Sequence, residues 1–464
     1  MEYAVLTGIV LVAGVLLALV AQWRDWRPHL LIVILVGVAV RALLWYTSAI
    51  DTQWQPVDYM ESFKPAGEAV LHGKDPVLAS EGGWHFLPTI PYMYGFLLWL
   101  GIPWEFAGRL VTVLADIALI PLVAKLAGGP KANLRALQYA LNPLAMLVAA
   151  IHGQVEPVAL AFGVAAFVVA RGPGSPYRAG ITTHVGVRLR RGVAAYGWRT
   201  ALARVIRPGG LLHRAFMPTG DDRRDLRRGM LAGALMGLAL CAKSWPIWLI
   251  PGMLLLLPNL RSRIVSLFFT GLVPVLFLAS LPLVVGSSFA QILEAMSVMG
   301  DIRPIVGDWG WAAQFSGGEW QLRPDLVVPG TYLIYATMVF CVFWWRRADP
   351  IDMTIAMLIA FMVVTPRLGA QYLMWFMPFL VARPTRFAWP AIIGVSVWAG
   401  YGYLYMTQFD TNTWWALHSQ WALASIVLLP ILVMAMPWGR RHPTAPELAT
   451  PVPAPAEQRV KSAV

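Results

Sequence analysis

Tyr3-Ala-Val-Leu-Thr-Gly-Ile-Val-Leu-Val-Ala-Gly-Val-Leu-Leu-Ala-Leu-Val20 runs for eighteen residues without a charged side chain. A helix needs about 20 such residues to cross a hydrocarbon core roughly 30 Å thick. Comparable stretches recur as far as Met436, and the 464-residue chain is 58% hydrophobic and only 13% charged, whereas soluble domains carry roughly 25% charged residues. The runs are long and continuous, not short and alternating, so bundled helices are expected and a barrel is not. No basic segment precedes the first run and its only early charge is Glu2, so it reads as a retained helix and not as a leader. The expected fold class is all-α, a polytopic transmembrane helical bundle.

The net charge of +12 is concentrated in one place. Residues 171–228 hold thirteen arginines against Asp221, Asp222 and Asp225, a local excess of +10. The rest of the chain is almost neutral, which points away from nucleic acid. Basic loops stay in the cytoplasm, so this 58-residue insert, the turn Asn259-Leu-Arg-Ser-Arg263, the pair Arg346-Arg347 and the tail from Gly439-Arg-Arg-His442 all read as cytoplasmic. The chain then divides into an N-terminal membrane module, 1–170, with an external loop at 51–87, and the insert. A C-terminal module, 229–438, follows with an external loop at 287–326, and a Pro- and Ala-rich tail, 439–464, reads as disordered. Within the insert, 187–205 mixes arginine with Val, Leu, Ala and Trp, the pattern of a basic amphipathic helix on anionic lipid.

Fourteen apolar segments are candidates for spans, near 3–21, 29–50, 88–101, 106–126, 137–151, 155–170, 230–242, 245–258, 264–286, 327–345, 351–364, 369–382, 387–405 and 416–436. An external loop at 51–87 and a cytoplasmic insert at 171 require an odd number of crossings between them, yet four segments intervene. Segments 88–101 and 137–151 are short and carry Pro88, Pro91 and Pro143, as re-entrant or broken helices do. Omitting 88–101 gives about thirteen spans, with the N-terminus outside and the C-terminus inside.

On the external side a few ionisable residues gather, and such residues in a membrane protein are functional candidates. Asp58 lies eight residues beyond the second apolar run, in Gln55-Pro-Val-Asp58-Tyr59-Met-Glu61-Ser-Phe-Lys64. A partly buried carboxylate there is a candidate general base, and an ordinary loop acid is the alternative. Glu61 stands one turn on, and an ion pair with Lys64 at i, i+3 accounts for it equally well. His152, Gln154 and Glu156 surround Gly153 and Pro157, where a broken helix exposes backbone donors and acceptors. Lys243, in Cys241-Ala-Lys243-Ser-Trp245-Pro246, and Arg367, in Thr365-Pro-Arg367-Leu-Gly-Ala-Gln371-Tyr372, are the external cations. Both suit a lipid-linked phosphate, or they snorkel to the interface.

The loop 296–322 carries Asp301, Arg303, Asp308, Trp309, Trp311, Gln314, Glu319 and Trp320, with Arg323 just beyond. Its tryptophans suit an interfacial belt or the stacking of sugar rings. Cys241 and Cys341 both sit in apolar runs, so neither a disulfide framework nor a zinc site is expected. No phosphate-binding loop, dinucleotide fingerprint, serine elbow or paired-histidine motif occurs, which disfavours a nucleotide-driven pump and a membrane metalloprotease.

The order of these features resembles the GT-C superfamily of membrane glycosyltransferases, most closely the bacterial, actinobacterial branch that uses polyprenyl-phosphate-mannose. The resemblance rests on Asp58-Tyr59, Ala69-Val-Leu-His-Gly73-Lys-Asp-Pro76, Asn142-Pro143, Gly153-Gln154, Lys243-Ser-Trp-Pro246 and Gln371-Tyr372-Leu-Met-Trp375, across about residues 30–380. It implies a catalytic carboxylate in the first external loop, carried over to Asp58, with Glu61 as helper. It also implies inverting transfer outside the cytoplasm from a polyprenyl-phosphate sugar to a cell-envelope glycolipid or glycan, with no cofactor and no obligatory metal. Lys243 and Arg367 would hold the departing phosphate, while Gln154, Gln371 and Tyr372 would line the substrate; His152, at the broken helix, is a further candidate ligand or else a satisfied turn histidine. The basic insert and an additional span before the catalytic loop depart from the pattern. So does Leu87-Pro88-Thr-Ile-Pro91-Tyr92, a loose version of the element expected after the first loop.

The expected protein is therefore a multi-pass enzyme of the cell membrane with an extracytoplasmic active site. Mannose is the first donor sugar considered and arabinofuranose the second. A lipid or sugar transporter and a scaffold recruiting partners through the basic insert are the rivals from other classes.

Overall fold

The computed structural model describes residues 2–51, 55–172, 197–200, 202–203, 222–300 and 309–440. Most of the insert, including most of the helix expected at 187–205, lies outside them, as do Asp301, Arg303, Asp308 and nearly all of the tail. Every regular element among the described residues is helical. The chain is a membrane-embedded helical protein: six helices are long and apolar enough to cross a bilayer, and a bent pair makes a seventh candidate.

The first module contains α1 (Glu2–Trp23), α2 (Leu30–Ile50), α3 (Lys64–Leu71), α4 (Pro76–Ala79), α5 (Thr89–Trp99), α6 (Trp104–Ala127), α7 (Ala132–Ala140), α8 (Pro143–Met146) and α9 (Glu156–Arg171). Beyond the insert come α10 (Asp222–Ala242), α11 (Ile250–Leu256), α12 (Leu260–Val284), α13 (Phe289–Gly300), α14 (Gly310–Ser316) and α15 (Pro324–Trp344). The chain closes with α16 (Pro350–Val364), α17 (Met377–Ala382), α18 (Ala388–Gly400), α19 (Thr411–Ala424) and α20 (Leu428–Ala435).

Local chemistry sets the helix ends. Asn259 caps α12 through a reciprocal bond with Ser262, and Asp349 caps α16 ahead of Pro350 at the first position, where a missing N–H costs nothing. Alpha10 packs on α9 and α12, so the two modules share one interior.

The basic turns gather at one end of the bundle. Lys131 meets Asp25, Arg171 donates to the carbonyl of Leu126, and Arg440 reaches both Asp352 and the carbonyl of Arg383. A side chain at Gly172 would strike the Arg228 guanidinium, so the two ends of the insert meet there too.

Segments 88–101 and 132–152 differ in form. Alpha5 has only 11 residues and packs on α3 of the loop 51–87. Its first residue, Thr89, lies beside the Cys241 thiol at the end of α10, and α6 begins just beyond it with Trp104, whose carbonyl accepts from Tyr59 of the same loop. Alpha7 and α8 run in succession with a 48° bend between them, where Pro143 follows Asn142.

Two features of the interior differ from the sequence reading. Arg41 of α2 and Asp116 of α6 form a 2.7 Å ion pair, both wholly buried. The Tyr139 hydroxyl donates to the other Asp116 oxygen at 2.7 Å, and the Ala140 carbonyl accepts from Arg41. Trp309 corrects both readings of its loop: it is fully buried, so it neither lies in a belt nor faces a sugar. Its Nε1 donates to the Met362 carbonyl at 2.7 Å and its ring meets Trp398 edge-on, while Trp398 stacks on Trp421 at 4.0 Å. Trp309→Ala is expected to cost about 3–5 kcal/mol, measured as a fall in thermal midpoint in detergent. A shift no larger than that of an exposed Trp320→Ala control would refute the anchoring role.

Candidate active site

Two interrupted helices build the site. After α2, Gln55 donates to the Asp51 carbonyl at 2.6 Å and turns the chain. The π-helical turn Asp58–Phe63 then buries Tyr59 and Phe63 on one side and leaves Asp58 and Glu61 exposed on the other. Tyr59 is clamped from three directions. Its hydroxyl donates to the Trp104 carbonyl at 2.7 Å, its ring packs on Trp104 at 4.8 Å, and the Arg109 guanidinium lies 4.3 Å above it. Arg109 also donates to the Ile151 carbonyl and to Gln55, tying the loop to the second interruption.

That second interruption is the π-helical turn Leu147–His152, which ends at Gly153 in the left-handed region, φ 73°. The reversal aims Gln154 back at the loop, and its Nε2 donates to Asp58 Oδ2 at 2.6 Å. Glycine is required twice over at 153, since a Cβ there would also lie 3.0 Å from Arg109 and Tyr59. Gly153→Ala is therefore expected to combine left-handed strain of about 1–2 kcal/mol with a clash that moves Gln154. The check is turnover at matched protein level, which should fall more than thermal stability does.

Beneath Asp58 lies a second charged layer. Lys243 follows the last residue of α10, and its Nζ stands 3.5 Å from Glu156 Oε1 and 4.3 Å over the Phe86 ring. Both partners are buried, so Lys243 is not the open cation of the sequence reading: Glu156 already balances its charge. Arg367 is exposed and is the cation with room for a ligand. Its charge reaches Tyr372, as do those of Lys243 and Asp58.

The remaining predicted residues arrive through aromatic contacts. Trp245 stacks on Trp375 at 4.3 Å, and Trp375 lies against Tyr372 at 4.8 Å. The His152 ring packs on Tyr403, whose hydroxyl donates to Gln371 Oε1 at 3.4 Å. Asp58, His152, Gln154, Lys243, Gln371 and Tyr372 thus share one neighbourhood. Glu61 stands apart from the contacts that join them, and the ion pair expected between it and Lys64 is replaced by Lys64–Glu68 at 4.0 Å, because one full helical step favours i, i+4 there.

Sequence reasoning missed Tyr59's clamp on Arg109, and it missed His85, which lies within reach of Asp58 and Lys243. An arginine inside the apolar run 106–126 was the available signal for the first. Burial, and then the Lys243 charge, hold the His85 imidazole below its ordinary value of 6.5. Below that value the unfolded chain takes up a proton that the folded loop resists, so the folded state loses stability as the medium is acidified. The expected result is a thermal midpoint that falls between pH 7 and pH 5, and falls less in His85→Asn. Identical slopes for the two proteins would remove His85 from the account.

Among the described residues no three His, Cys, Asp or Glu side chains converge as a metal site. No protein family, curated protein or solved structure matches this chain.

Proposed function

We propose that this protein is a multi-pass membrane glycosyltransferase of the GT-C type. It transfers a sugar, mannose first and arabinofuranose second, from a polyprenyl-phosphate donor to a glycolipid or glycan acceptor outside the cytoplasm. The observation that carries the reading is the exposed Asp58 carboxylate, held on one oxygen by Gln154 and anchored from behind by buried Tyr59. Among the described residues Oδ1 accepts no hydrogen bond, which leaves it for a substrate proton.

In this mechanism Asp58 takes the proton of an acceptor hydroxyl as that oxygen bonds to the anomeric carbon. The bond from that carbon to the phosphate oxygen breaks, and polyprenyl phosphate leaves. Arg367 meets the departing phosphate directly. Lys243 contributes through the pair it shares with Glu156, which keeps the charge beneath Asp58 near zero until an anion arrives.

Thirteen passes are assigned. They are the six long helices, the bent pair, and the runs Glu156–Arg171, Asp222–Ala242, Trp245–Leu256, Pro350–Val364, Ala370–Ala382 and 388–405. Alpha5, α13 and α14 then lie on the external side, and the gathering of the basic turns at the other end supports that orientation.

The fate of the donor tests the function. The purified protein in liposomes is offered polyprenyl-phosphomannose and polyprenyl-phosphoarabinose. Transfer releases free polyprenyl phosphate in step with glycosylated acceptor, whereas a flippase moves the donor across the bilayer intact. Intact donor in both cases, with movement across the bilayer, sinks the enzyme reading.

A further inference from the structure

At the end of the bundle where the basic turns gather, one half-buried cation has no carboxylate of its own. Arg135 of α7 donates from Nη1 to Gln22 Oε1 of α1 at 2.8 Å and to Gln138 Oε1 at 2.6 Å. Gln138 is buried and donates to the same Gln22 oxygen at 3.0 Å, so the two amides fix the guanidinium where α1 meets α7. Neutral amides orient a cation without cancelling its charge. A guanidinium has five N–H donors, and Arg135 Nε and Nη2 make no hydrogen bond among the described residues, yet neither is sealed from the surface.

The surroundings of Arg135 add positive charge. Asp25, the carboxylate whose charge reaches it, is already paired with Arg27 and lies 3.9 Å from Lys131. Arg24 stands beside them, over the Trp23 ring. Alpha7 also packs on α17, and Arg383, which follows α17, offers its carbonyl to Arg440. The Arg440 charge reaches Arg135 as well. Arg383 and Arg440 are balanced by Asp349 and Asp352, whereas Arg27, Lys131 and Arg135 share Asp25 alone among the described residues. Taking a charge partly out of water is costly unless a counter-charge meets it. Trp23 and Trp26, both exposed, flank the same turn, as aromatic side chains do at the depth of lipid headgroups.

We infer that Arg135 anchors the phosphodiester of an anionic membrane lipid at the junction of α1 and α7, with Lys131 at the rim. A phosphodiester carries one negative charge on two free oxygens, which suits the open Nε and Nη2 as a bidentate partner, and basic sites between membrane helices hold lipid headgroups in this way. The exposed apolar side chains Val12, Leu16 and Val20 of α1 give the acyl chains a surface leading away from the headgroup. The site does not depend on the transferase reading.

The test uses the full chain, stripped of lipid in detergent and titrated with dioleoylphosphatidylglycerol, with dioleoylphosphatidylcholine and with inorganic phosphate, bound lipid being counted by native mass spectrometry. Wild type takes up phosphatidylglycerol in preference to phosphatidylcholine. Arg135→Gln, whose amide still reaches Gln22, weakens that binding about tenfold or more, the effect of one hydrogen bond to a charged group. Lys131→Gln, at a half-exposed side chain, weakens it roughly two- to threefold, as loss of a surface charge does. Arg261→Gln, at an exposed arginine of α12, leaves it unchanged and so separates a site from diffuse attraction to a basic surface. An unchanged thermal midpoint in lipid-free detergent certifies the fold of Arg135→Gln, and should that variant unfold, Lys131→Gln against Arg261→Gln decides. Equal uptake of the two lipids, equal loss in Arg261→Gln, or wild-type binding by Lys131→Gln overturns the site. Inorganic phosphate that displaces phosphatidylglycerol at equal concentration assigns the site to free phosphate and overturns the lipid.

Discussion

Asp58→Asn leaves a folded, substrate-binding protein that no longer turns over. Asparagine has the same outline, and its carbonyl oxygen can still accept from Gln154 at the position where the carboxylate now does, so the loop keeps its geometry. The side chain cannot take a proton. General-base catalysis contributes about 10²–10⁴ in rate, and that is the expected loss in kcat, with KM for donor and acceptor nearly unchanged, the signature of an interaction made only in the transition state. A fall in both kcat and protein level would instead indicate a structural carboxylate, and unchanged turnover would remove Asp58 from the chemistry.

Asp116→Ala is expected to be the most damaging single change to stability. It leaves the Arg41 guanidinium buried without its counter-charge and the Tyr139 hydroxyl without its acceptor. Removing one member of a buried pair costs about 3–5 kcal/mol, because the surviving charge is uncompensated. Arg41 has no reserve, since its Nη2 already lacks a partner among the described residues. The double change Arg41→Met with Asp116→Leu removes both charges and should recover most of the loss. Thermal unfolding of the three proteins in one detergent decides it. A single variant as stable as wild type would show that water or lipid headgroups reach the pair, and that the buried network does not hold α2 to α6.

The helical membrane character could be read from run length and charge content alone, because a bilayer accepts few alternatives. The gathering of basic turns at one end could be anticipated as well, since loop charge governs orientation. Much of the candidate site was legible for a related reason: Asp58, His152, Gln154, Lys243, Gln371 and Tyr372 are polar residues next to apolar runs. The pairings were not legible. Nothing in the sequence assigns Glu156 to Lys243, or Gln154 to Asp58, because those contacts depend on where Gly153 and Ala242 end their helices in space. Arg41 and Asp116 were passed over because each is a single charge diluted in a span, and their meeting depends on helix rotation. Trp309 was misread because tryptophan at a membrane boundary and tryptophan in a core have the same neighbours in sequence.

The configuration of the product at its anomeric carbon tests the central claim most directly. A donor of known configuration is turned over by the purified protein in liposomes, and the new linkage is assigned by proton–carbon coupling at that carbon. Direct attack by an acceptor hydroxyl that Asp58 deprotonates gives inversion in a single displacement. Inverted product, formed by the wild type and not by Asp58→Asn, is the predicted result. Retention would contradict the account, since it requires a second displacement through a carboxylate that attacks the sugar itself.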